Sequence, residues 1–437
     1  MINGAPANVL DFGADPTGAA DSYAAFLAAY NSGAGTIEIP LGTFWLSQTF
    51  VIDRAVIVNG ASSANTRDML PVNTSLIYFT GTGPAFELIG SDPNSNRNMH
   101  IRNISIKGTS AGSAGISIGT NSSSFVSQSS FINIQIRNFS AINAAGINVA
   151  RCLDSYFRNV MCMYGYDGIK IKGVNTTLIF DDCWCSSSAR YGWNVDAIVS
   201  GEANQGLTFR GCIADNSQSS GLYITGYCTY ITVHDWFSEG NCIATGFAPQ
   251  AIIYVATNYR PSYITIYGGV FSDYVSTPPI YKIFHLEGAG NVTFSNIALN
   301  NGPGSIEIDA TTSDCALFTS YADFRPSFIT GNHLNGMSIN GNAPWQYTNT
   351  IPDSGGQNLP STTGTMTVTD ITNNYSAIFF LNGARNAVSL VSDPDGKFAA
   401  GVVAGKLCIT YSGNYQIINL TGNTLTYLMQ FSMTNIY

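Results

Sequence analysis

A short strand opened by glycine recurs through the middle of the chain: Gly115-Ile116-Ser117-Ile118, Gly146-Ile147-Asn148-Val149, Gly168-Ile169-Lys170-Ile171, Gly192-Trp193-Asn194-Val195 and Gly221-Leu222-Tyr223-Ile224, at steps of 31, 22, 24 and 29 residues. In phase with it run Phe131-Ile132-Asn133-Ile134, Phe157-Arg158-Asn159-Val160, Phe180-Asp181-Asp182-Cys183, Phe209-Arg210-Gly211-Cys212 and Val233-His234-Asp235-Trp236, at steps of 26, 23, 29 and 24. Each unit holds two or three strands and cannot bury a core alone, so neighbours must stack. The expected fold is all-β, a parallel β-helix. Propeller blades need about 40 to 50 residues per unit, and leucine-rich repeats need Leu and Asn at fixed positions that are absent here. The unequal steps put insertions in turns, at 118–130 and 196–205.

Ahead of the repeat, Tyr23, Phe26, Leu27 and Tyr30 fall at helical spacing, with Asp21 or Ser22 as N-cap and Gly33 beyond the end, which predicts a helix near 21–31. The expected organisation is an N-terminal cap over 1–50, the β-helix over 51–345, a Ser/Gly/Pro linker over 346–364 and a C-terminal antiparallel, sandwich-like β-domain over 365–437.

Charge narrows the partners. With 18 Lys+Arg against 27 Asp+Glu and a net charge of −9, the chain lacks the basic footprint of a nucleic-acid or anionic-membrane binder. No apolar run is long enough to span a bilayer, and the first residues do not read as a signal peptide. A soluble protein, not Sec-exported, is expected. Nine cysteines scattered through strand-like text fit free, buried thiols formed in a reducing cytoplasm.

The segment Asn8-Val9-Leu10-Asp11-Phe12-Gly13-Ala14-Asp15-Pro16, then the helix, then Gly33 to Phe44 with its Ile39-Pro40-Leu41-Gly42-Thr43-Phe44 strand, resembles the opening of the pectate-lyase-like right-handed parallel β-helices. The Phe-x-Asn/Asp-Cys repeat followed by the Gly strand is most similar to bacteriophage tailspikes, over roughly residues 8 to 340. That resemblance implies a homotrimer on a phage tail, docked to a tail or baseplate protein. It implies binding and depolymerisation of a bacterial capsule or O-antigen, with the C-terminal domain serving trimerisation or glycan binding. The catalytic set of polygalacturonases is absent, Asp181-Asp182-Cys183 resembling only its middle member, and so is the Asp-Pro-His of the epimerases. No catalytic residue carries over.

Candidate residues therefore come from the repeat. Equivalent positions of stacked coils lie about 4.8 Å apart, so outward residues form columns. With Phe180 and its equivalents inward, one outward column is Arg158, Asp181, Arg210 and His234. The next is Met161, Trp184, Ile213 and Phe237, followed by Met163, Ser186, Asp215 and Glu239. Asp215 and Glu239 on adjacent coils suit a retaining glycosidase pair, or are solvated turn carboxylates. Asp181, Asp182 and Asp235, with Arg210 between Asp181 and His234, form a second group, either catalytic or a charge ladder. For a lyase acting on a uronate, Arg210, His234, Lys170 and Lys172 supply base and cation; Lys172 also fits an ion pair with Asp196.

Trp184, Trp236 and Phe237, with Tyr223 and Trp193 nearby, offer flat faces for sugar rings, although Trp193 and Trp236 also fit inward positions. Gly108-Thr109-Ser110-Ala111-Gly112 matches an esterase elbow but sits in turn text. The cysteines at 183, 185 and 212 read as core rather than zinc ligands, and Asp15, Thr17 and Asp21 as a turn rather than a calcium loop. No metal or cofactor is expected. The expected activity is endo-hydrolysis of glycosidic bonds, the alternatives being a uronate lyase, a glycan-binding adhesin or a structural fibre.

Overall fold

The computed structural model describes residues 5–63, 74–90, 98–120, 125–199, 201–241, 243, 251–254, 260–272, 282–295, 297–300, 305–308, 316–319, 329–330, 338–341, 345–351, 356–358, 364–370, 375–382, 387–411, 415–421 and 425–433. The chain divides into two compact units, Met1–Thr245 and Gly246–Tyr437.

In the first unit the strands pair in parallel with their counterparts one repeat away. The ladder reaches back past residue 51: Ala7–Asn8 pairs with Thr36–Ile39, and Thr36–Ile39, Gly42–Leu46 and Phe50–Ile52 pair with Val56–Gly60, Ser75–Phe79 and Pro84–Leu88. The strands of the expected cap thus already belong to the ladder. The repeats hold register to the residue. Ile116, Ile147, Ile169, Trp193 and Leu222 are successive partners, as are Phe131, Phe157, Phe180, Phe209 and Val233. Glycine opens the first series because the coils touch there: a Cβ on Gly168 would lie 2.5 Å from the Gly192 carbonyl oxygen.

Inward residues stack on their own kind. The rings of Phe131, Phe157, Phe180 and Phe209 lie 4.6, 4.4 and 5.2 Å apart, within 15° of parallel, and all are fully buried. Each such pair adds about 0.5–1.5 kcal/mol beyond the burial of its area. The helix is present as Tyr23–Asn31, but its buried face is Ala25, Phe26, Ala29 and Tyr30, with Leu27 exposed. The small alanines let it lie close, so that Phe26 and Tyr30 meet Phe50 edge-on.

Between strands the chain turns at corners with positive φ. One column of corners is Asn103, Asn133, Asn159, Asp182, Gly211 and Asp235, at φ between 50° and 59°. Asn, Asp and Gly tolerate this left-handed conformation best. The asparagines also bond along the column: Asn133 donates to Asn103 Oδ1 and Asn159 to Asn133 Oδ1, each at 2.9 Å.

Seven cysteines, at 152, 162, 183, 185, 212, 228 and 408, are unpaired and buried. Burial pushes the Cys152 and Cys228 thiols up to about 12. Cys242 and Cys315 lie outside the described residues.

The second unit contains further parallel strands. Ala251–Tyr254, Lys282–Glu287, Ser305–Ile308 and Ile329–Thr330 pair in succession, as do Ser262–Ser272, Gly290–Ser295, Ala316–Thr319 and Ser338–Gly341. Two mainly antiparallel sheets complete it. One runs Trp345–Ile351, Leu425–Met433, Gly364–Asp370, Tyr375–Asn382, Ala387–Ser392, the other Gly356–Asn358, Tyr415–Asn419, Leu407–Tyr411, Phe398–Ala400. Trp345–Ile351 and Gly356–Asn358 occupy the stretch read as a linker.

Candidate functional site

The outward columns form as the repeat dictates. Arg158, Asp181, Arg210 and His234 are successive partners. So are Met161, Trp184, Ile213 and Phe237, and Met163, Ser186, Asp215 and Glu239. Alternation sends Cys185, Ala214 and Ser238 inward between them. Asp215 and Glu239 therefore face the same way from adjacent strands, about 4.8 Å apart along the ladder. Both backbones are tied down next to the carboxylates: Ser187 N–H donates to the Asp215 carbonyl and Asn216 N–H to that of Glu239, each at 3.0 Å. Asp215 is only 6% exposed and Glu239 is half-buried, with half-buried Trp184 and Phe237 in the neighbouring column. Two carboxylates and two aromatic faces thus share one sheet.

Trp236 is not among them. Its ring is 1% exposed and packs edge-on against Trp193 at 5.7 Å and Phe209 at 6.3 Å. Residues 236 and 237 alternate, so seating Phe237 outward puts Trp236 in the core.

The second candidate group separates into a clamp and two corners. Arg210 grips Asp181 through Nε–Oδ1 at 2.6 Å and Nη2–Oδ2 at 2.9 Å, and the Tyr156 hydroxyl donates to Asp181 Oδ2 at 2.6 Å. Burial pushes the Asp181 carboxyl up, but the Arg210 and Tyr156 hydrogen bonds and the flanking guanidinium charges outweigh it and hold the pKa below the usual carboxylate value. A carboxylate so gripped is a poor proton carrier. Asp182 and Asp235 are exposed corner residues, and the left-handed turn accounts for their identity without chemistry. His234 is the half-buried strand neighbour of Arg210.

Sequence reading missed a third cluster. Asp167, fully buried, accepts from Arg190 Nε at 2.8 Å, from Arg190 Nη2, from Asn194 Nδ2 at 2.9 Å and from the Tyr191 N–H at 3.4 Å. The Arg190 guanidinium lies 4.9 Å from the Tyr166 ring and 4.8 Å from that of Tyr191, and Tyr191 stacks on Tyr223 at 4.4 Å and 4°. The sequence did carry a signal. The position preceding the repeat glycine is Ala114, Ala145 and then Asp167 in register, a switch from alanine to a charged residue. Lys170 and Tyr223 sit on the same strands, in the outward column Ser117, Asn148, Lys170, Asn194, Tyr223. Burial, partly offset by Asp167 and reinforced by the Arg190 charge, lowers the Lys170 pKa. Lys172 pairs with Asp196 at 3.6 Å, as its stacking implied.

The remaining motifs are structural. Asp15 accepts from the Thr17 hydroxyl and from the N–H groups of Thr17 and Ala20, which hold its carboxyl at about 2. Gly108 and Gly112 close a turn over the Phe139 ring. Among the described residues no group of three or more His, Cys, Asp or Glu is placed to hold a metal ion, and no helix is long and apolar enough to cross a membrane.

Parallel coils stacked in register, with acids, cations and aromatics ranked on their outer faces, define a parallel β-solenoid of the pectate-lyase-like class. Residues 7–223 match the family described as rhamnogalacturonase A/epimerase, pectate lyase-like, which assigns that stretch to it. Comparison with curated protein sequences gave no significant match. Among solved structures, ORF18 of Geobacillus virus E2 is similar over 96% of this chain and 85% of its own, at 15% identity and a TM-score of 0.52. The A-module of the Azotobacter vinelandii mannuronan C-5 epimerase AlgE6 is similar over 76% and 95%, at 13% identity and 0.51. The catalytic unit of the GH87 α-1,3-glucanase of Streptomyces thermodiastaticus is similar over 76% and 68%, at 14% identity and 0.50. These likenesses establish the shared fold.

Proposed function

We propose that this chain is a tailspike-like depolymerase that binds a bacterial surface polysaccharide, capsule or O-antigen, and hydrolyses its glycosidic bonds within the chain. The observation that carries this reading is the in-register pairing of Asp215 and Glu239 on one face beside Trp184 and Phe237. One carboxylic acid protonates the leaving glycosidic oxygen, and the other carboxylate attacks the anomeric carbon; water then releases the sugar. The aromatic faces hold the rings on either side of the bond. The names of the relatives support a glycan-directed role in a virus: one is viral, one a glucanase, one a polysaccharide epimerase.

As in tailspikes, the working assembly in this reading is a homotrimer in the virion, attached to a tail or baseplate protein, with residues 365–437 serving trimerisation or glycan binding. The helix Tyr23–Asn31 closes the first coil as a cap.

The test is incubation with purified capsules and O-antigens, followed by chain length and product mass. Shortened chains whose ends have gained water support hydrolysis, and their loss in D215N and E239Q assigns it. Unsaturated, ultraviolet-absorbing ends establish a lyase instead, a reading favoured by the desolvated Lys170. Binding without shortening leaves an adhesin.

A further inference from the structure

Away from Asp215 and Glu239, on the strand series through Phe131, a hydroxyl and an imidazole meet on the outer surface. His100 on the strand Met99–Lys107 and Ser130 on Ser130–Arg137 are partners in the parallel ladder, and both are half-buried. His100 Nδ1 lies 2.8 Å from Ser130 Oγ and accepts the Ser130 backbone N–H at 3.1 Å. A peptide N–H only donates, so Nδ1 carries the lone pair and Nε2 the proton, and the Ser130 hydroxyl is the donor to Nδ1. Burial, reinforced by the Arg102 charge, lowers the His100 pKa and keeps the ring neutral at neutral pH. Neighbouring serines are arranged otherwise: the Ser129 and Ser155 hydroxyls donate to the main-chain carbonyls of Ser127 and Leu153. Arg102, two residues along from His100, is exposed; its Nε donates to Asn59 Oδ1 at 3.0 Å, and its Nη nitrogens make no hydrogen bond among the described residues. Half-buried Tyr156, the partner of Ser130 on the following coil, and half-buried Ile132 complete the surroundings.

We propose that Ser130 and His100 are a nucleophile and base for a second activity, the hydrolysis of small O-acyl esters such as acetyl groups carried on glycan hydroxyls. A serine whose proton already points at an unprotonated imidazole is an activated nucleophile. Ser130 Oγ bonds to the acyl carbon as its proton passes to His100 Nδ1, and the Arg102 Nη groups donate to the oxyanion of the tetrahedral intermediate. The bond from the acyl carbon to the alcohol oxygen then breaks, and that oxygen takes the proton from Nδ1. A water molecule gives its proton to Nδ1 and attacks the acyl-serine; the carboxylic acid leaves, and the proton returns to Ser130 Oγ. Tyr156 and Ile132 border the short acyl chain. The dyad itself stands on the geometry alone, and only the placing of the ester on a glycan rests on the glycan reading above.

The experiment is labelling of the full chain in its native assembly with a fluorophosphonate, mapped by peptide mass, alongside turnover of p-nitrophenyl acetate. The expected result is one phosphonyl adduct, on Ser130. It is absent in Ser130→Ala and forms about 10²–10⁴-fold more slowly in His100→Gln, the usual worth of a general base, and ester turnover falls in parallel. An unchanged unfolding temperature shows that both variants are folded. No adduct in the unmodified chain, an adduct at another residue, or undiminished labelling of His100→Gln overturns the proposal. D215N and E239Q are expected to label at the unmodified rate, which keeps the two readings apart. Polysaccharide shortening without a Ser130 adduct defeats the esterase alone, and a Ser130 adduct without shortening defeats the hydrolase alone.

Discussion

Two outer faces of the coils each carry an aspartate, Asp181 on one coil and Asp215 on the next, and they do opposite things with it. On the strand series through Phe180, the coil after Asp181 supplies Arg210, and the acid is closed into a bidentate clamp topped by Tyr156. On the series through Trp184, the coil after Asp215 supplies Glu239, and two acids share a face. The backbone ladder is the same in both. Chemistry on a β-helix is therefore decided by what the next coil brings to a column, and a single residue converts a structural clamp into a candidate acid–base pair.

That contrast breaks first at the paired acids. D215N or E239Q is expected to lower polysaccharide cleavage by about 10²–10⁴-fold, the usual range for lost general acid–base catalysis, while glycan binding persists; initial rates against the identified polysaccharide measure it. Asp181→Asn is expected to leave the rate within a few-fold, and a loss as large as that of D215N would merge the two faces into one site.

The clamps differ among themselves. Arg190→Ala strands the fully buried Asp167 carboxylate and is expected to cost about 3–5 kcal/mol in chemical unfolding. Arg210, by contrast, is about half exposed, and solvent screens its pair. A corner substitution falls between: Asp235→Val puts a β-branched residue at φ 51° and is expected to cost about 1–2 kcal/mol, with Asp235→Gly or Asn near neutral and activity unchanged.

The smallest effect is that of Arg210→Ala, about 0.2–1 kcal/mol at neutral pH. Its signature is pH dependence. The Asp181 pKa is depressed in the folded protein, so the stabilisation is present above the ordinary carboxylate pKa and lost as pH falls through the lowered value. Removing Arg210 flattens that acid limb, as acid titration of the unfolding midpoint shows.

The fold was legible because the Phe and Gly series each mark one inward position per coil, and two phases fix a register that cannot slip. The Arg210 and Glu239 columns followed at once. Strict alternation fails where the chain turns: counted from the inward Phe180 and Val233, Asp182 and Asp235 would point inward, yet they are exposed at left-handed corners that Asn133, Asn159 and Gly211 occupy in other coils. The Asp167–Arg190 pair escaped because Arg190 lies in a turn of variable length, where column phase is lost. The strands Trp345–Ile351 and Gly356–Asn358 overlap the stretch 346–364 read as a linker, because strands this short and polar have too little alternation to announce themselves.

The most direct measurement of the central claim is the anomeric configuration of the first-formed reducing end, followed by proton NMR during cleavage of the identified polysaccharide. Acids on neighbouring strands, about 5 Å apart, match the spacing of a retaining pair, whereas an inverting pair stands about 6.5–9.5 Å apart to admit a water. Retention, abolished in both D215N and E239Q, is the predicted result. Inversion, or retention that survives in either variant, would contradict the assignment of Asp215 and Glu239.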